Sequence, residues 1–211
     1  QHRKKSRESS GFDWNSIFNA LNQIKEELIE NFPYKVLEVT GAEADDIIAT
    51  LCEKFNDSEN IMIVSGDKDF IQLHRFKNVK QYSPITKKFI NGEDPKEYLY
   101  QHILKGDSSD GVPNVLSPDN TFVDGLRQKP LSKKKITQWA GPMCEHQLPN
   151  DEIKRNYQRN RKLIDLTQSP SDLHLECIKE YNDAKEGDRS KLLNYFIKNK
   201  LQELMNSIGD F

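Results

Sequence analysis

At 211 residues the chain is long enough for one good core with a smaller second lobe attached. Its 35% apolar and 30% charged residues mark a polar but globular protein, and no apolar run approaches the ~20 residues that span a bilayer. A formal net charge of -2 excludes a uniformly basic nucleic-acid binder. No stretch reads as a signal peptide, and the widely spaced Cys52, Cys144 and Cys177 read as reduced thiols. The expected setting is therefore the cytoplasm, with no membrane partner.

Residues 1–12 read as a polar, mobile lead-in. Asp13 can cap a helix in which Trp14, Ile17, Phe18, Leu21, Ile24 and Leu28 follow helical spacing, and Pro33 marks its end. Residues 35–39 read as a short strand. Residues 44–55 read as a helix with Ile47, Ile48, Leu51 and Phe55 on one face. Residues 61–64 are fully apolar and end in Ser-Gly, which predicts a buried parallel strand. A helical turn through Ile71 and Leu73 follows, then a hairpin of residues 79–82 and 88–90 joined through Ser83-Pro84. Asp94-Pro95 opens a helix carrying Tyr98, Leu99, Ile103 and Leu104 and ending near Gly106. The chain is loop-like after Gly111, and helices resume near Ser132, at residues 152–166 and at residues 189–208. Strands alternating with helices, then helices alone, predict an α/β layer with a helical lobe. The expected division is residues 1–105 for the α/β core and 106–211 for the lobe.

Charge is distributed unevenly. Arg3, Lys4, Lys5 and Arg7 form one basic cluster, Arg127, Lys129, Lys133, Lys134 and Lys135 a second, and Lys154, Arg155, Arg159, Arg161 and Lys162 a third. Between them stand three acidic motifs, Glu43-Ala-Asp45-Asp46, Ser65-Gly-Asp67-Lys-Asp69 and Gly106-Asp107-Ser-Ser-Asp110-Gly111. An acidic centre with basic flanks suits an enzyme that holds metal ions against a phosphate backbone, although basic runs are also what solvated faces look like. The first two motifs sit near the carboxyl ends of predicted strands, where ligands of open α/β sheets gather. Glu43 and Asp46 are three apart and are expected to share a helix face, with Asp45 pointing elsewhere. Carboxylates without His or Cys partners favour hard ions, Mg²⁺ or Mn²⁺, over zinc. Each motif alone has a plainer reading, as a charged first helical turn or an Asx-rich turn; the ordered combination is what points to a site.

That combination resembles the 5′-nuclease family, which includes flap endonucleases and the 5′-nuclease domain of bacterial DNA polymerase I. The resemblance runs through Ala42-Glu43-Ala44-Asp45-Asp46, through Ser65-Gly66-Asp67-Lys68-Asp69-Phe70, and through Leu104-Lys105-Gly106-Asp107-Ser108-Ser109-Asp110-Gly111-Val112-Pro113. The stretch Asn78-Val79-Lys80-Gln81-Tyr82-Ser83-Pro84 and the end from Asn206 to Phe211 extend it to the phage ribonuclease H branch. It implies a PIN-like, mostly parallel sheet flanked by helices, with a C-terminal helical DNA-binding lobe. It implies metal-dependent cleavage from the 5′ end of flapped DNA or RNA–DNA duplex during replication. Glu43, Asp45, Asp46, Asp67, Asp69, Asp107 and Asp110 match the family's metal-site acids, and two ions are implied. Asp67 with Glu43 and Asp45 would serve the catalytic ion, and Asp69, Asp107 and Asp110 the second. Arg3, Lys4, Lys5, Arg7, Gly111, Lys133, Lys134 and Lys135 are the candidate DNA contacts, the turn at Asp107–Asp110 opening a helix-turn-helix-like element.

Partners implied in the same way are a single-stranded-DNA-binding protein and a sliding clamp, in a bacterial or phage-infected cell. The family's opening strand and two further metal-site acids have no counterpart in these residues, so the sequence reads as N-terminally incomplete. Two alternatives stand beside this reading. One is a non-catalytic DNA-binding replication module. The other is a haloacid-dehalogenase-type phosphatase, for which the spacing of Asp107 and Asp110 is short.

Overall fold

The computed structural model describes residues 7, 10–92 and 94–211, so Arg3, Lys4 and Lys5, and most of the expected mobile lead-in, lie outside the described residues. Helix α1 (Trp14–Asn31) begins where Asp13 accepts a hydrogen bond from the Ser16 amide. It ends at Phe32, which is buried against Leu192 and Phe196 near the far end of the chain. Ile17, Phe18, Leu21 and Ile24 are largely exposed, and among the described residues it is Leu28, near the end of the helix, that joins the Phe32 core.

Residues 35–39 do not form the expected strand. Among the described residues they find no ladder partner, and Lys35 is instead tied across the chain. Its Nζ donates to the Tyr181 carbonyl at 2.8 Å and sits 4.4 Å from the Tyr181 ring centroid.

Helix α2 (Ala44–Phe55) buries Ala49 and Cys52 against β1 (Ile61–Val64) and the 3₁₀ helix Lys68–Arg75, which contributes Phe70 and Leu73. Strand β1 pairs in parallel with β2 (Val79–Ser83), and β2 pairs antiparallel with β3 (Lys88–Ile90). The hairpin is as expected, and the sheet order is β1-β2-β3. The fully buried environment expected of β1 is not found. Ile63 is in the core, but Met62 and Val64 on the other face are 56% and 64% exposed.

Helix α3 (Pro95–Lys105) has Asp94 as its cap and Pro95 in its first turn. It contributes Ile103 and Leu104 to a second core, shared with Val112, Val115, Ile136, Trp139, Tyr157 and Ile164. The helices of this half are α4 (Lys133–Trp139), α5 (Cys144–Gln147), α6 (Asp151–Ile164) and α7 (Ser171–Asp183). Sequence reading missed α7, although Pro170 before it and Leu173, Cys177 and Tyr181 at four-residue spacing are a helical signal.

The long helix expected over 189–208 is broken into α8 (Leu192–Lys198) and α9 (Gln202–Asn206). Lys200 adopts φ 57°, and the Leu201 amide reaches back to the Phe196 carbonyl at 2.9 Å, the closure of a left-handed helix end. The break lets Leu201, Met205 and Phe211 return to the Phe32 core.

Between α3 and α4 the chain is irregular but tied down. Asn160 on α6 is fully buried and donates to the carbonyls of Ile103 and Pro113 at 2.8 and 2.9 Å. Asn156 donates to the Val115 carbonyl at 3.0 Å, and Arg159 to that of Pro113 at 2.8 Å. Satisfying buried carbonyls with side-chain amides is what allows a loop of this length to lie inside. No helix among the described residues is long and apolar enough to cross a membrane.

Candidate metal centre

The three acidic motifs arrive from three elements. Glu43 and Asp45 stand at the N-terminus of α2, where the helix dipole favours negative charge. Asp67 and Asp69 follow β1, and Asp107 and Asp110 follow α3. Together with Ser109, these six carboxylates line one cavity of about 270 Å³ near the carboxyl end of β1.

Each motif is held by local chemistry. Asp67 caps the 3₁₀ helix, its Oδ1 accepting from the Asp69 amide at 3.0 Å. Gln81 of β2, wholly buried, donates to the carbonyls of Ser65 and Asp67 at 2.9 and 2.6 Å and so pins the strand-end loop to the sheet. Its Oε1 lies 3.1 Å from His74 Nε2. No sequence signal marks Gln81 as anything but a strand residue. Asp107 Oδ1 accepts from the amides of Ser109 and Asp110 at 2.7 and 3.3 Å, while Oδ2 lies 3.5 Å from His102 Nε2. Gly106 has φ 67° and ψ -176°, a conformation nearly restricted to glycine, and it turns the chain from α3 into Asp107.

Asp46 is placed apart from this cavity. Its carboxylate accepts from the Glu43 amide at 3.0 Å and from the Ser169 hydroxyl. The expected closeness of Glu43 and Asp46 takes the form of a reciprocal capping box, and Asp46 does not line the cavity. Glu43 is the helix cap, in extended conformation at φ -88° and ψ 164°, so helical spacing does not carry its side chain. Glu43 and Asp45 are the pair that turns to the cavity.

The electrostatics are those of crowded anions. Burial, then Asp67, Asp107, Asp45 and Asp110, push the Asp69 carboxyl up to about 7. Burial followed by Asp67 and Glu43 raises Asp45. Burial would also raise Asp107, but its hydrogen bonds from Ser109 and Asp110 outweigh it and hold the group below the usual carboxylate range.

A residue without a marked sequence signal approaches Asp69 and Asp107 from an adjoining depression lined also by Asp67 and Tyr98. His102, in the last turn of α3, has Nδ1 3.2 Å from Asp69 Oδ1 and Nε2 3.5 Å from Asp107 Oδ2. Sequence reading missed it, its position one turn before Gly106-Asp107 being a weak signal.

The candidate DNA contacts among the described residues come from separate segments. Lys133, Lys134 and Lys135 open α4, all exposed, with Lys135 Nζ 5.7 Å from the Trp139 ring centroid. Arg7 lies over Trp14 and Phe18, 5.4 Å from each centroid. Gly111, at φ 74°, closes the Asp107–Gly111 turn. No second helix directly follows that turn; residues 112–131 intervene, held by the Asn156, Arg159 and Asn160 contacts described above.

The family described as "5'-3' exonuclease, N-terminal resolvase-like domain" matches residues 4–101, and "T4 RNase H, C terminal" matches residues 95–211. Ribonuclease H of Enterobacteria phage T4 is 34% identical over 100% of this chain and 72% of its own length. The 5'-3' exonuclease of Aquifex aeolicus is 31% identical, covering 80% of this chain and 58% of that protein. Among solved structures, the phage T5 5′-exonuclease superimposes with a TM-score of 0.50 at 17% identity, covering 69% of this chain and 67% of that one. That likeness carries the PIN-like fold, and the family match displaces the haloacid-dehalogenase alternative. The chain belongs to the 5′-nuclease family, in the branch of phage T4 ribonuclease H, and is a nuclease by descent.

Proposed function

We propose that the acidic cavity is a two-ion centre for phosphodiester hydrolysis, acting from the 5′ end of flapped DNA or RNA–DNA duplex. The observation that carries this reading is the convergence of Glu43, Asp45, Asp67, Asp69, Asp107 and Asp110 on one cavity with no Lys or Arg among the described residues lining it. So many carboxylates at close range repel one another unless cations or protons stand between them. Mg²⁺ or Mn²⁺ fits a donor set so rich in oxygen. Such ions, when bound, supply an activated water and charge stabilisation at the leaving oxygen. The chain's own part is to hold them: Asp67, Glu43 and Asp45 for the first, and Asp69, Asp107 and Asp110 for the second. Asp46 then acts through Glu43, fixing the amide that positions it. Lys133, Lys134 and Lys135 provide an exposed positive edge for backbone phosphates. The two family matches meet near residue 100, which supports a division into a metal-binding core and a C-terminal lobe.

The test is cleavage by the intact protein of 5′-labelled RNA–DNA hybrid and flapped DNA. Short 5′ products are expected with Mg²⁺ or Mn²⁺ and none in chelator. Activity that persists in chelator, or returns only with zinc, contradicts the reading.

The raised Asp69 carboxyl makes a second expectation. Without cations it retains a proton up to pH about 7. A carboxyl with a raised folded value contributes stability that is full below its usual 3.8 and is lost as pH climbs through 7. Metal-free protein should therefore lose stability from this group between pH 4 and 7. Mg²⁺ binding at pH 6 should release roughly one proton and at pH 8.5 almost none. Calorimetry in buffers of different ionisation enthalpy measures this, and equal proton release at both pH values would contradict it.

A further inference from the structure

We propose that His102 supplies an imidazole ligand to the ion held by Asp69 and Asp107, making the second position a mixed nitrogen–oxygen site. This rests on the acidic cavity being a metal centre and concerns what that centre accepts.

Three observations converge. First, one ligand atom from each of Asp69, His102 and Asp107 lies within 4.8 Å of the other two. Ligands bonded to one first-row ion at roughly 2.1 Å stand no more than about 4.2 Å apart, so a small side-chain rotation closes the set. Second, His102 Nδ1 is buried without a hydrogen-bond partner, although Asp69 Oδ1 is only 3.2 Å away. The distance suits a hydrogen bond but the alignment does not, so the lone pair or N–H of this nitrogen is unused by the protein. Third, the ring is held in place before any ion arrives. Its side chain is 13% exposed, and Tyr98, one turn back on α3, packs against it edge-on at 5.5 Å between centroids.

A competing role for His102 is a hydrogen-bond bridge that merely orients the two aspartates. A bridge would satisfy both nitrogens, whereas here one is left over. The chemical consequence of ligation is a change in preference. Imidazole binds first-row transition ions well and Mg²⁺ poorly, so the second position should favour Mn²⁺ beyond what carboxylates alone would give. His102→Gln should weaken Mn²⁺ binding roughly tenfold and leave Mg²⁺ binding within about threefold.

The deciding measurement is electron spin echo envelope modulation of the intact protein with Mn²⁺ alone. Imidazole nitrogen modulation is expected, changing when histidine is labelled with ¹⁵N and disappearing in His102→Gln. The labelled wild-type protein gives the readout even if that variant folds poorly. Bound Mn²⁺ that is weakened by Asp69→Asn but shows no nitrogen modulation would overturn the role of His102 while leaving the carboxylate centre intact. Modulation that persists in folded His102→Gln would also overturn it. Mn²⁺ binding that is absent, or unaffected by Asp69→Asn, would overturn the centre itself.

Discussion

Asp67→Asn in the intact protein is expected to lower cleavage by about a thousandfold or more, some 4 kcal/mol of transition-state stabilisation, while DNA binding stays level or tightens. The substitution is nearly isosteric. The hydrogen bond that Asp67 Oδ1 accepts from the Asp69 amide can be kept by the carboxamide oxygen, so the 3₁₀ helix keeps its cap. The contacts from Gln81 go to the backbone carbonyls of Ser65 and Asp67 and are untouched. What is lost is one negative charge on the cavity wall. Losing it removes a metal ligand and also relieves repulsion toward phosphate, so catalysis and binding should move in opposite directions. Single-turnover cleavage alongside equilibrium DNA binding measures both. Equal losses in cutting and binding would assign Asp67 a folding role instead.

Gly106→Ala carries the largest expected cost to the fold. A Cβ at this position would lie 2.4 Å from the Val112 carbonyl oxygen and 2.7 Å from the backbone of Pro113. Those atoms cannot step aside, because Pro113 O accepts hydrogen bonds from Asn160 and Arg159, and Val112 is itself in the core. The φ of 67° with ψ near 180° adds backbone strain that any side chain would feel. Destabilisation of about 3 kcal/mol or more is expected, a fall in Tm of roughly 10 °C for a chain of this size. Gly125→Ala separates the two causes. Gly125 has the same φ of 67° but nothing within 4 Å of its would-be Cβ, so it should lose only about 1 kcal/mol. Urea unfolding of both variants measures the difference, and similar losses in the two would contradict the steric argument. Because Gly106 delivers Asp107, its variant should also bind Mn²⁺ more weakly.

The elements that sequence patterning made legible are those whose stabilisation is local. Asp13, Asp94 and Ser132 cap helices by contacts within three residues, and the hairpin register follows from a short connection. What escaped was decided by distant partners. Residues 35–39 have strand-like composition, but a strand exists only with a neighbour, and Lys35 is held by Tyr181. The last helix breaks at Lys200 because Phe32, 168 positions earlier in the chain, gathers Phe196 and Phe211 on either side of the bend. At the site, three acidic motifs were visible because aspartates in Gly- and Ser-rich turns are distinctive. Their partition was not: Glu43 and Asp46 do stand together as a reciprocal capping box, but Asp46 also holds Ser169, and it is Asp45 that joins Glu43 on the cavity. Gln81 and His102 were hidden for a different reason. Each looks like an ordinary member of its strand or helix, and only the tertiary approach of Asp67, Asp69 and Asp107 gives it a role.

The central claim is that metal ions sit among these carboxylates. Anomalous scattering from crystals of the intact protein grown with Mn²⁺ tests it most directly. Two peaks roughly 4 Å apart are expected in the cavity, one beside Asp67, Glu43 and Asp45 and one beside Asp69 and Asp107. A fully occupied Mn²⁺ site elsewhere on the protein with this cavity empty would contradict it.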